Sequence, residues 1–413
     1  MKILLNHPTG NEFVRAAAKG LLDAEMLHEF HTALAVFPNT FLDRLSDMKP
    51  LADIRRRGYE TALQPYTHLW PWREVGRLVS GKLGLNHLVR HEKGVFSVDG
   101  VYQNLDKHIA SRLKATAGSD IQGIYAYEDG AANSFREARK RKISCLYDLP
   151  IGYWRAARRL LGTELLTRPE WAATLTGFID SDEKLAQKDE ELRLADQVFV
   201  ASSFTAKTLQ DFPGKLAPVQ VIPYGFPPIV KERSYRSAAN RPLKLLFVGG
   251  LSQRKGVANL FEAVETFGDR VELTVVGRKA VPDCEALNQA LTRHRWIPTL
   301  SHPDILALMK TQDVLIFPSL FEGFGLVITE AMSQGTPVIT TDRTAGPDLI
   351  QSGENGWLIQ AGVTQALIEA IDQLLLHPER IQQVGKAARD AARLRPWQRY
   401  GQELATAIQT LNS

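Results

Sequence analysis

Short apolar runs alternate with longer segments of helical periodicity along much of the chain. In the second half, the runs predict strands at Leu243–Val248, Val271–Val276, Val314–Phe317 and 337–340. The intervening and following segments predict helices near 256–267, 303–311, 325–334, 364–376 and 378–394. Gly335 occupies the position where a glycine commonly follows a helix end. This alternation predicts βαβ units and a parallel sheet, and therefore an α/β fold.

The first half repeats this pattern less regularly. Apolar runs at 2–5, 121–125, 143–147 and 197–201 predict strands, and a helix is expected to end at 190–196. Residues 40–110 have weak periodicity and mixed charge, so we expect an irregular or helical insertion there.

Chain-breaking residues divide the two halves. The segment IPYGFPP at 222–228 is followed by a polar stretch at 234–240. We therefore predict an N-terminal Rossmann-like domain (1–220), a linker (221–240), a C-terminal Rossmann-like domain (241–394) and a C-terminal helix within the final segment (395–413). Because open parallel sheets bind ligands outside the carboxyl ends of their strands, two facing domains would place a site in the cleft between them.

The composition argues against several classes of protein. The 413 residues are 44% apolar, which argues against disorder, and the two cysteines cannot form a disulfide framework. The apolar runs are too short to span a bilayer, and the start, MKILLNHPTG, lacks an apolar stretch typical of a signal peptide. These features favour a cytoplasmic protein.

The net charge of +4 is too small to indicate nucleic-acid binding, but basic residues are clustered. Residues 136–159 carry eight basic and two acidic side chains, a local charge of +6, and Arg55, Arg56 and Arg57 form a second cluster. Two interpretations remain open for these clusters: a solvated surface, or attraction to an anionic acceptor or the inner face of a membrane.

The segment FEGFGLVITE at 321–330 carries the clearest chemistry. It leaves the predicted strand at 314–317 through a glycine-rich loop and enters a helix, so its first amides are unpaired at the positive end of the helix dipole. Such a terminus suits a pyrophosphate. Glu322 and Glu330, one before the helix and one inside it, would bind hydroxyl groups rather than the anion itself.

These residues resemble the nucleotide-sugar site of glycosyltransferase family 4, whose members have the GT-B fold and retain anomeric configuration. The resemblance covers about residues 190–360 and includes two glutamates with seven residues between them, VIPYG at 221–225, FVGG at 247–250 and RKG at 254–256.

By this resemblance, Glu330 would bind the donor ribose and Glu322 the donor sugar, while Lys255 and Arg254 would neutralise the diphosphate. The other donor contacts that the resemblance implies come from the loops, at Gly10, Gly250, Ile297, Gly323, Phe324, Gly325 and Leu326. Trp296, beside Ile297, would stack on the base or belong to the core.

The chain departs from the family at two positions. Gly250 stands where many members have an arginine, and Tyr147 stands where many have a histidine before Asp148. The acceptor proton would then be handled by Asp148 or by the Glu128-Asp129 pair one strand earlier. His7, at the end of the first strand, would be a base or a local hydrogen-bonding side chain. Arg15, in the helix after it, would reach an anionic group.

The resemblance implies a retaining glycosyltransferase of the hexosyl type. It would move a sugar from a UDP- or GDP-sugar to a hydroxyl of a glycan or lipid-linked acceptor, in surface polysaccharide biosynthesis. No metal or other cofactor is expected. A GT-B epimerase or phosphorylase and a binding protein with a degenerate site are the alternatives.

Overall fold

The computed structural model describes residues 1–40, 43, 57–115 and 120–411. Within these residues the chain forms two all-parallel sheets, each with helices packed on it. Parallel strands need crossover connections, and helices supply them here. The predicted α/β class is therefore confirmed.

The N-terminal sheet has seven strands in the described residues, in the order β3-β2-β1-β4-β5-β6-β7. The strands are β1 (Ile3–Asn6), β2 (Leu27–Thr32), β3 (Thr67–Leu69), β4 (Gly123–Tyr127), β5 (Ser144–Leu149), β6 (Gln197–Val200) and β7 (Val219–Val221). All predicted strands of this half are present, with ends displaced by one to two residues.

The helices of this half are α1 (Glu12–Asp23), α2 (Trp72–Lys82), α3 (Val98–Ala115), α4 (Ala132–Lys140), α5 (Trp154–Thr167), α6 (Asp182–Leu194) and α7 (Ser203–Thr208). From residue 57 onward the expected insertion at 40–110 contains α2, the start of α3, shorter turns and the three-residue strand β3, so it is partly helical and partly irregular. Residues 41, 42 and 44–56 lie outside the described residues.

The C-terminal sheet has six strands in the described residues, in the order β10-β9-β8-β11-β12-β13. They are β8 (Leu243–Val248), β9 (Val271–Val276), β10 (Arg295–Ile297), β11 (Val314–Phe317), β12 (Val338–Thr341) and β13 (Trp357–Ile359). The bounds predicted for β8, β9 and β11 match, because these strands are rich in apolar residues and are buried along most of their length. The short edge strands β10 and β13 were not predicted.

The helices here are α8 (Val257–Glu265), α9 (Glu285–Thr292), α10 (His302–Met309), α11 (Leu326–Ser333), α12 (Gly346–Leu349), α13 (Thr364–Leu376), α14 (Glu379–Arg393) and α15 (Trp397–Thr410). Gly335 follows α11 with a φ of +70°. The amides of Gly335 and Thr336 bond to the carbonyls of Met332 and Ala331, the pairing of a Schellman motif.

The chain crosses between the domains twice. After β7 it passes through Tyr224, whose ring stacks on Phe13 of α1 at 5.0 Å and contacts Phe324 of the C-terminal half at 5.0 Å. It returns at α15, which packs on α1 where Gly20 meets Gly401. The N-terminal core therefore includes the last helix of the chain.

Candidate active site

The loop after β11 ends at Gly325, which has a φ of +88° and immediately precedes α11. This left-handed conformation favours glycine, and it turns the chain sharply from the sheet into the helix. The first-turn amides of α11 have no carbonyl four residues before them in the helix, so they form the positive helix terminus that the sequence predicted.

Glu322 brings the two predicted cations together. Its carboxylate contacts Lys255 Nζ, and its second oxygen lies 3.2 Å from Arg254 Nη1. Arg254 also donates to the carbonyl of Phe321 at 2.9 Å. The cluster forms because β8 and β11 are neighbouring parallel strands, so the loops that follow them emerge side by side.

The charges in this cluster are partly shielded from solvent. Burial lowers the pKa of Arg254 to about 10, and burial and the Arg254 charge both lower the pKa of Lys255. The Glu322 carboxylate opposes this effect on Lys255, because an adjacent anion stabilises the ammonium form. A second anion, such as a diphosphate, would be attracted strongly here because the site is poorly solvated.

Glu330 lies on α11, eight residues after Glu322. One of its oxygens is 3.1 Å from Nε2 of His302, at the start of α10. The hydrogen bond to Glu330 raises the pKa of His302, and the charges of Glu12 and Arg15 on α1 also act on it. The beginning of α1 therefore lies near Glu330, across from the C-terminal domain.

Gly10 connects β1 to α1 in this region. A Cβ atom at Gly10 would lie 3.0 Å from the Tyr59 hydroxyl, so the loop is tightly packed. Arg15 donates to the Gly10 carbonyl at 2.6 Å and pairs with Glu12 at 2.7 Å. Arg15 therefore supports the shape of the loop.

Gly323 and Phe324 form the contact between the domains. A Cβ at Gly323 would lie 1.9 Å from the carbonyl oxygen of Pro150, in the loop after β5. The Gly323 carbonyl accepts hydrogen bonds from Ser202 and, at 2.8 Å, from Thr205. The Phe324 side chain is buried, so only its backbone is suited to a ligand contact. Leu326, the first residue of α11, is half-buried against the N-terminal core.

Gly250 and Ile297 occupy different environments. Gly250 is exposed, and a Cβ there would meet no atom within 4 Å. Ile297 is the last residue of β10 and packs partly on the C-terminal core. The neighbouring Trp296 donates to the carbonyl of Gly277 at 2.9 Å, and Lys279 Nζ lies 4.6 Å from its ring centre.

Asp148 is not part of the Glu322 cluster. Its carboxyl group is buried and accepts a hydrogen bond from Tyr125 at 2.5 Å, while Oδ1 has no partner among the described residues. Burial raises the pKa of Asp148 to about 7. Tyr147 points to the opposite face of β5, where its buried hydroxyl donates to Glu191 at 3.0 Å, so this hydroxyl is not presented to a sugar.

His7 is also buried. Its Nδ1 lies 2.6 Å from the carbonyl oxygen of Thr9, and its Nε2 lies 3.4 Å from the Tyr102 hydroxyl. Burial lowers the pKa of His7 to about 4. His7 is therefore a neutral, hydrogen-bonded side chain at neutral pH.

A cavity of about 240 Å³ lies between the domains beside Arg254. Its wall includes Glu128 and Lys188 of the N-terminal domain and Phe321 of the C-terminal loop. Lys188 Nζ is 3.0 Å from a Glu128 oxygen, and burial raises the pKa of Glu128 to about 6 although the lysine opposes the shift. Sequence reasoning missed Lys188, because it lies in a uniformly charged helix where no local pattern marks a buried position.

Most of the basic side chains in the cluster at 136–159 are paired with carboxylates. Six of its eight basic side chains form ion pairs, several of them with carboxylates distant in the sequence; these are Arg136, Arg139, Lys140, Arg141, Arg155 and Arg159. The solvated interpretation is therefore the better one. In the second cluster, Arg57 is buried and paired with Glu74, while Arg55 and Arg56 lie outside the described residues.

Of the helices in the described ranges, none combines the length and the apolar character that crossing a bilayer requires.

Residues 231–391 match the family model described as "Glycosyl transferases group 1". The matched residues include Lys255, Glu322 and Glu330. Among curated proteins, an alpha-maltose-1-phosphate synthase of Mycolicibacterium smegmatis is 30% identical over 167 residues, which are 37% of this chain and 43% of that protein. A phosphatidyl-myo-inositol mannosyltransferase of Mycobacterium leprae is 30% identical over 40% of this chain and 46% of that protein. The chain thus spans less than half the length of these relatives.

Solved structures match over the whole chain. Sucrose-phosphate synthase from Thermosynechococcus elongatus superposes with a TM-score of 0.66 at 18% identity, covering 100% of this chain and 99% of that one. HepE from Anabaena, solved in complex with UDP, superposes with a TM-score of 0.63 at 17% identity, covering 99% and 100%. The predicted arrangement, two Rossmann-like domains facing each other across a cleft in a GT-B fold, is therefore confirmed.

Proposed function

We propose that this protein transfers a sugar from a nucleoside-diphosphate sugar to a hydroxyl group of a glycan or lipid-linked acceptor. The observation that carries the proposal is the cluster of Lys255, Arg254 and Glu322 at the amino terminus of α11. It combines cations, a helix terminus and a carboxylate, which are the groups needed for a diphosphate joined to a sugar.

Each group would have a distinct task. Lys255, Arg254 and the first amides of α11 would hold the diphosphate and stabilise the charge that develops on it. Glu322 would turn from the cations to the sugar hydroxyls, and Glu330 would bind the ribose hydroxyls after leaving His302. The Gly10 loop and Gly250 would cover the donor from the two domains.

The transfer we propose retains the anomeric configuration. The bond between the anomeric carbon and the diphosphate oxygen breaks, and the acceptor oxygen bonds to the same face of that carbon. The acceptor proton passes to the leaving phosphate, so no protein nucleophile is required. The positions of Asp148 and His7, both buried away from the Glu322 cluster, are compatible with this mechanism.

The interdomain cavity is the best place for the acceptor. It adjoins Arg254, and its volume of about 240 Å³ is sufficient for one sugar ring. Glu128 would accept a hydrogen bond from the acceptor hydroxyl and position it. The curated relatives also include a capsular polysaccharide glycosyltransferase of Staphylococcus aureus, which supports a glycan acceptor and a role in surface polysaccharide synthesis.

We propose that the reaction needs no metal ion, because the two cations and the helix terminus supply positive charge at the diphosphate. In the described part of the chain, the two groups of side chains spaced to hold a metal lie elsewhere, in the N-terminal domain. Activity should persist in excess chelator. Loss of activity that Mn²⁺ restores would contradict this proposal.

Calorimetric titration with UDP, GDP and their sugars tests the donor assignment. We expect one nucleotide to bind, and Glu330→Gln to weaken that binding at least about tenfold, the loss of one or two hydrogen bonds to a charged group. Asp283→Asn, an exposed position far along the chain from the cluster, is the control. Incubating the protein with the nucleotide sugar that binds, in the absence of an acceptor, distinguishes a transferase from an epimerase. An epimerase would convert this nucleotide sugar into its epimer.

A further inference from the structure

An apolar surface is exposed on the N-terminal domain, around α2. Fifteen large apolar side chains are exposed in the described residues, and eight of them fall between residues 69 and 98. We define these eight as the apolar face: Leu69, Trp72, Val75, Val79, Leu83, Leu85, Val95 and Val98. Trp72 is 71% exposed and Leu83 is 67% exposed, values far from those of a surface helix that packs its apolar side inward.

The orientation of α2 is the reverse of the usual one. Trp72, Val75 and Val79 follow the three- and four-residue spacing of one helix face, and this face points to solvent. On the inner side Glu74 is only 1% exposed, and it pairs with Arg57 and with Arg77 at 2.6 Å. The helix therefore buries charge and exposes apolar surface. Packing within the domain does not account for this arrangement, and exposed apolar patches mark sites of interaction.

The rest of the face is held in place beside α2. Arg73 donates to the carbonyl of Val95 at 2.8 Å. A Cβ at Gly76 would lie 2.4 Å from the Phe96 ring, so the segment carrying Val95 packs closely on the helix. The two parts of the apolar face therefore form one fixed surface.

The exposed charges beside the face are mainly positive. Lys82, Arg90 and Lys93 are exposed in the same segment. Glu74 is buried, and Asp99 is buried and paired with Lys184 at 2.8 Å. The third carboxylate, Glu92, is 19% exposed and accepts a hydrogen bond from the Ser181 amide at 3.0 Å. An apolar surface with a tryptophan at one end and exposed cations around it matches the interface of an anionic bilayer, where apolar groups enter the acyl boundary and cations meet the headgroups.

We propose that the apolar face is a docking surface for an anionic lipid bilayer, with α2 lying in the plane of the membrane interface. This surface is distinct in sequence from the cluster at 136–159. The proposal is independent of the donor site, and it would bring the N-terminal domain next to a lipid-linked acceptor.

Vesicle sedimentation tests the proposal with the full chain. Vesicles of phosphatidylcholine alone are compared with vesicles that also contain phosphatidylglycerol, at low and high salt. We expect binding to the anionic vesicles, weakened by salt. The double variant Trp72→Ser/Val79→Ser should lose at least about tenfold in binding, because two apolar side chains no longer leave water.

Matched controls use equally exposed apolar residues elsewhere. Leu166→Ser on α5 and Leu376→Ser at the end of α13 change side chains that are 83% and 62% exposed, and they should bind as the unmodified chain does. Arg90→Glu/Lys93→Glu should weaken binding to anionic vesicles alone. All substituted positions are exposed, so melting temperatures should be unchanged, and donor titrations should be too.

Three results would overturn the proposal. The first is no binding to anionic vesicles. The second is binding that the apolar-face variants leave unchanged. The third is a concentration-dependent dimer, seen by light scattering, that the Trp72→Ser/Val79→Ser variant abolishes, since the face would then be covered by a second copy of the chain.

Discussion

At Lys255, the surroundings oppose the charge that the proposed chemistry requires. Burial and Arg254 both disfavour the ammonium form, and Glu322 stabilises it. A donor diphosphate would take over this stabilising role, and Glu322 would then be released toward the sugar. The Lys255 ammonium group is thus stabilised by Glu322 before the donor binds and by the donor diphosphate afterwards.

Replacing this lysine should reduce transfer without unfolding the protein. Lys255→Met is expected to lower kcat about 10²–10³-fold, the usual effect of removing one group that stabilises developing charge. Lys255→Arg should restore part of the rate, because it keeps the charge but changes its position. Lys310→Met, an exposed lysine at the end of α10, is the control. Equal activity in Lys255→Met and the control would contradict the assigned role.

The buried carboxyl group of Asp148 should make the free energy of unfolding depend on pH. Its pKa is about 7 in the folded protein against an ordinary value of 3.8, so the folded state binds more protons between these values. The free energy of unfolding should therefore fall as the pH rises from about 4 to about 7, by at most about 4 kcal/mol from this group.

Asp148→Asn removes this titration. Denaturant unfolding across the pH range should show a flatter profile for Asp148→Asn than for the unmodified chain, and Asp283→Asn should show no change. Parallel profiles for the Asp148→Asn variant and the unmodified chain would mean that the carboxyl group ionises normally, and the burial argument would then be wrong.

At the scale of elements, the loop between β11 and α11 has two structural roles. It presents Glu322 to the cations of the loop after β8, and it carries the domain contact at Gly323. A glycine is required at Gly323 because the Pro150 carbonyl approaches so closely, whereas the space around Gly250 is open. Both glycines were predicted to contact the donor, and the packing shows that their environments differ.

Alanine substitution separates the two positions. Gly323→Ala should lower the melting temperature and the transfer rate, since the new Cβ would push the Pro150 loop away and separate the domains; the cost of such overpacking is about 1–3 kcal/mol. Gly250→Ala should keep the melting temperature and weaken only donor binding. Calorimetry measures donor binding, and thermal unfolding measures the melting temperature. An unaltered melting temperature for Gly323→Ala would show that the contact with Pro150 can shift without loss of stability.

At the scale of the whole molecule, the last helix ties the two domains together. It leaves the C-terminal domain after α14 and packs on α1 through Gly20 and Gly401, where the backbones nearly touch. Near this point Arg395 bonds to the carbonyl of Pro223 at 3.0 Å, which links the returning chain to the outgoing one. Motion of the domains during donor binding must therefore be accommodated at these two crossings.

Enlarging Gly401 should loosen this connection. Its Cβ would lie 2.4 Å from the Ala16 carbonyl, so Gly401→Ala is expected to destabilise the chain by about 1–3 kcal/mol. Gly162→Ala in α5 is the matched control: its Cβ meets nothing within 4 Å, and alanine should stabilise that helix by about 0.5–1 kcal/mol. If both variants melt at the same temperature, the close packing of α15 on α1 does not limit stability.

The sequence determined the central strands of the C-terminal domain, most of its helices and the residue types of its site. Buried parallel strands are continuous apolar runs, and a glycine loop entering a helix has the same local geometry wherever it occurs, so local pattern was sufficient at β8, β11 and α11. The pairing of Lys255 and Arg254 with Glu322 depends on β8 lying beside β11, and strand order is a property of the whole sheet.

Only the tertiary structure decided the rest. Four of the cations at 136–159 pair with carboxylates that are distant in the sequence. Asp148 is buried while Glu128 lines a cavity, and α2 exposes the side that its pattern would bury. Each of these outcomes depends on which residues distant in the chain become neighbours. Burial and charge pairing are set by those neighbours, and a local pattern contains no information about them.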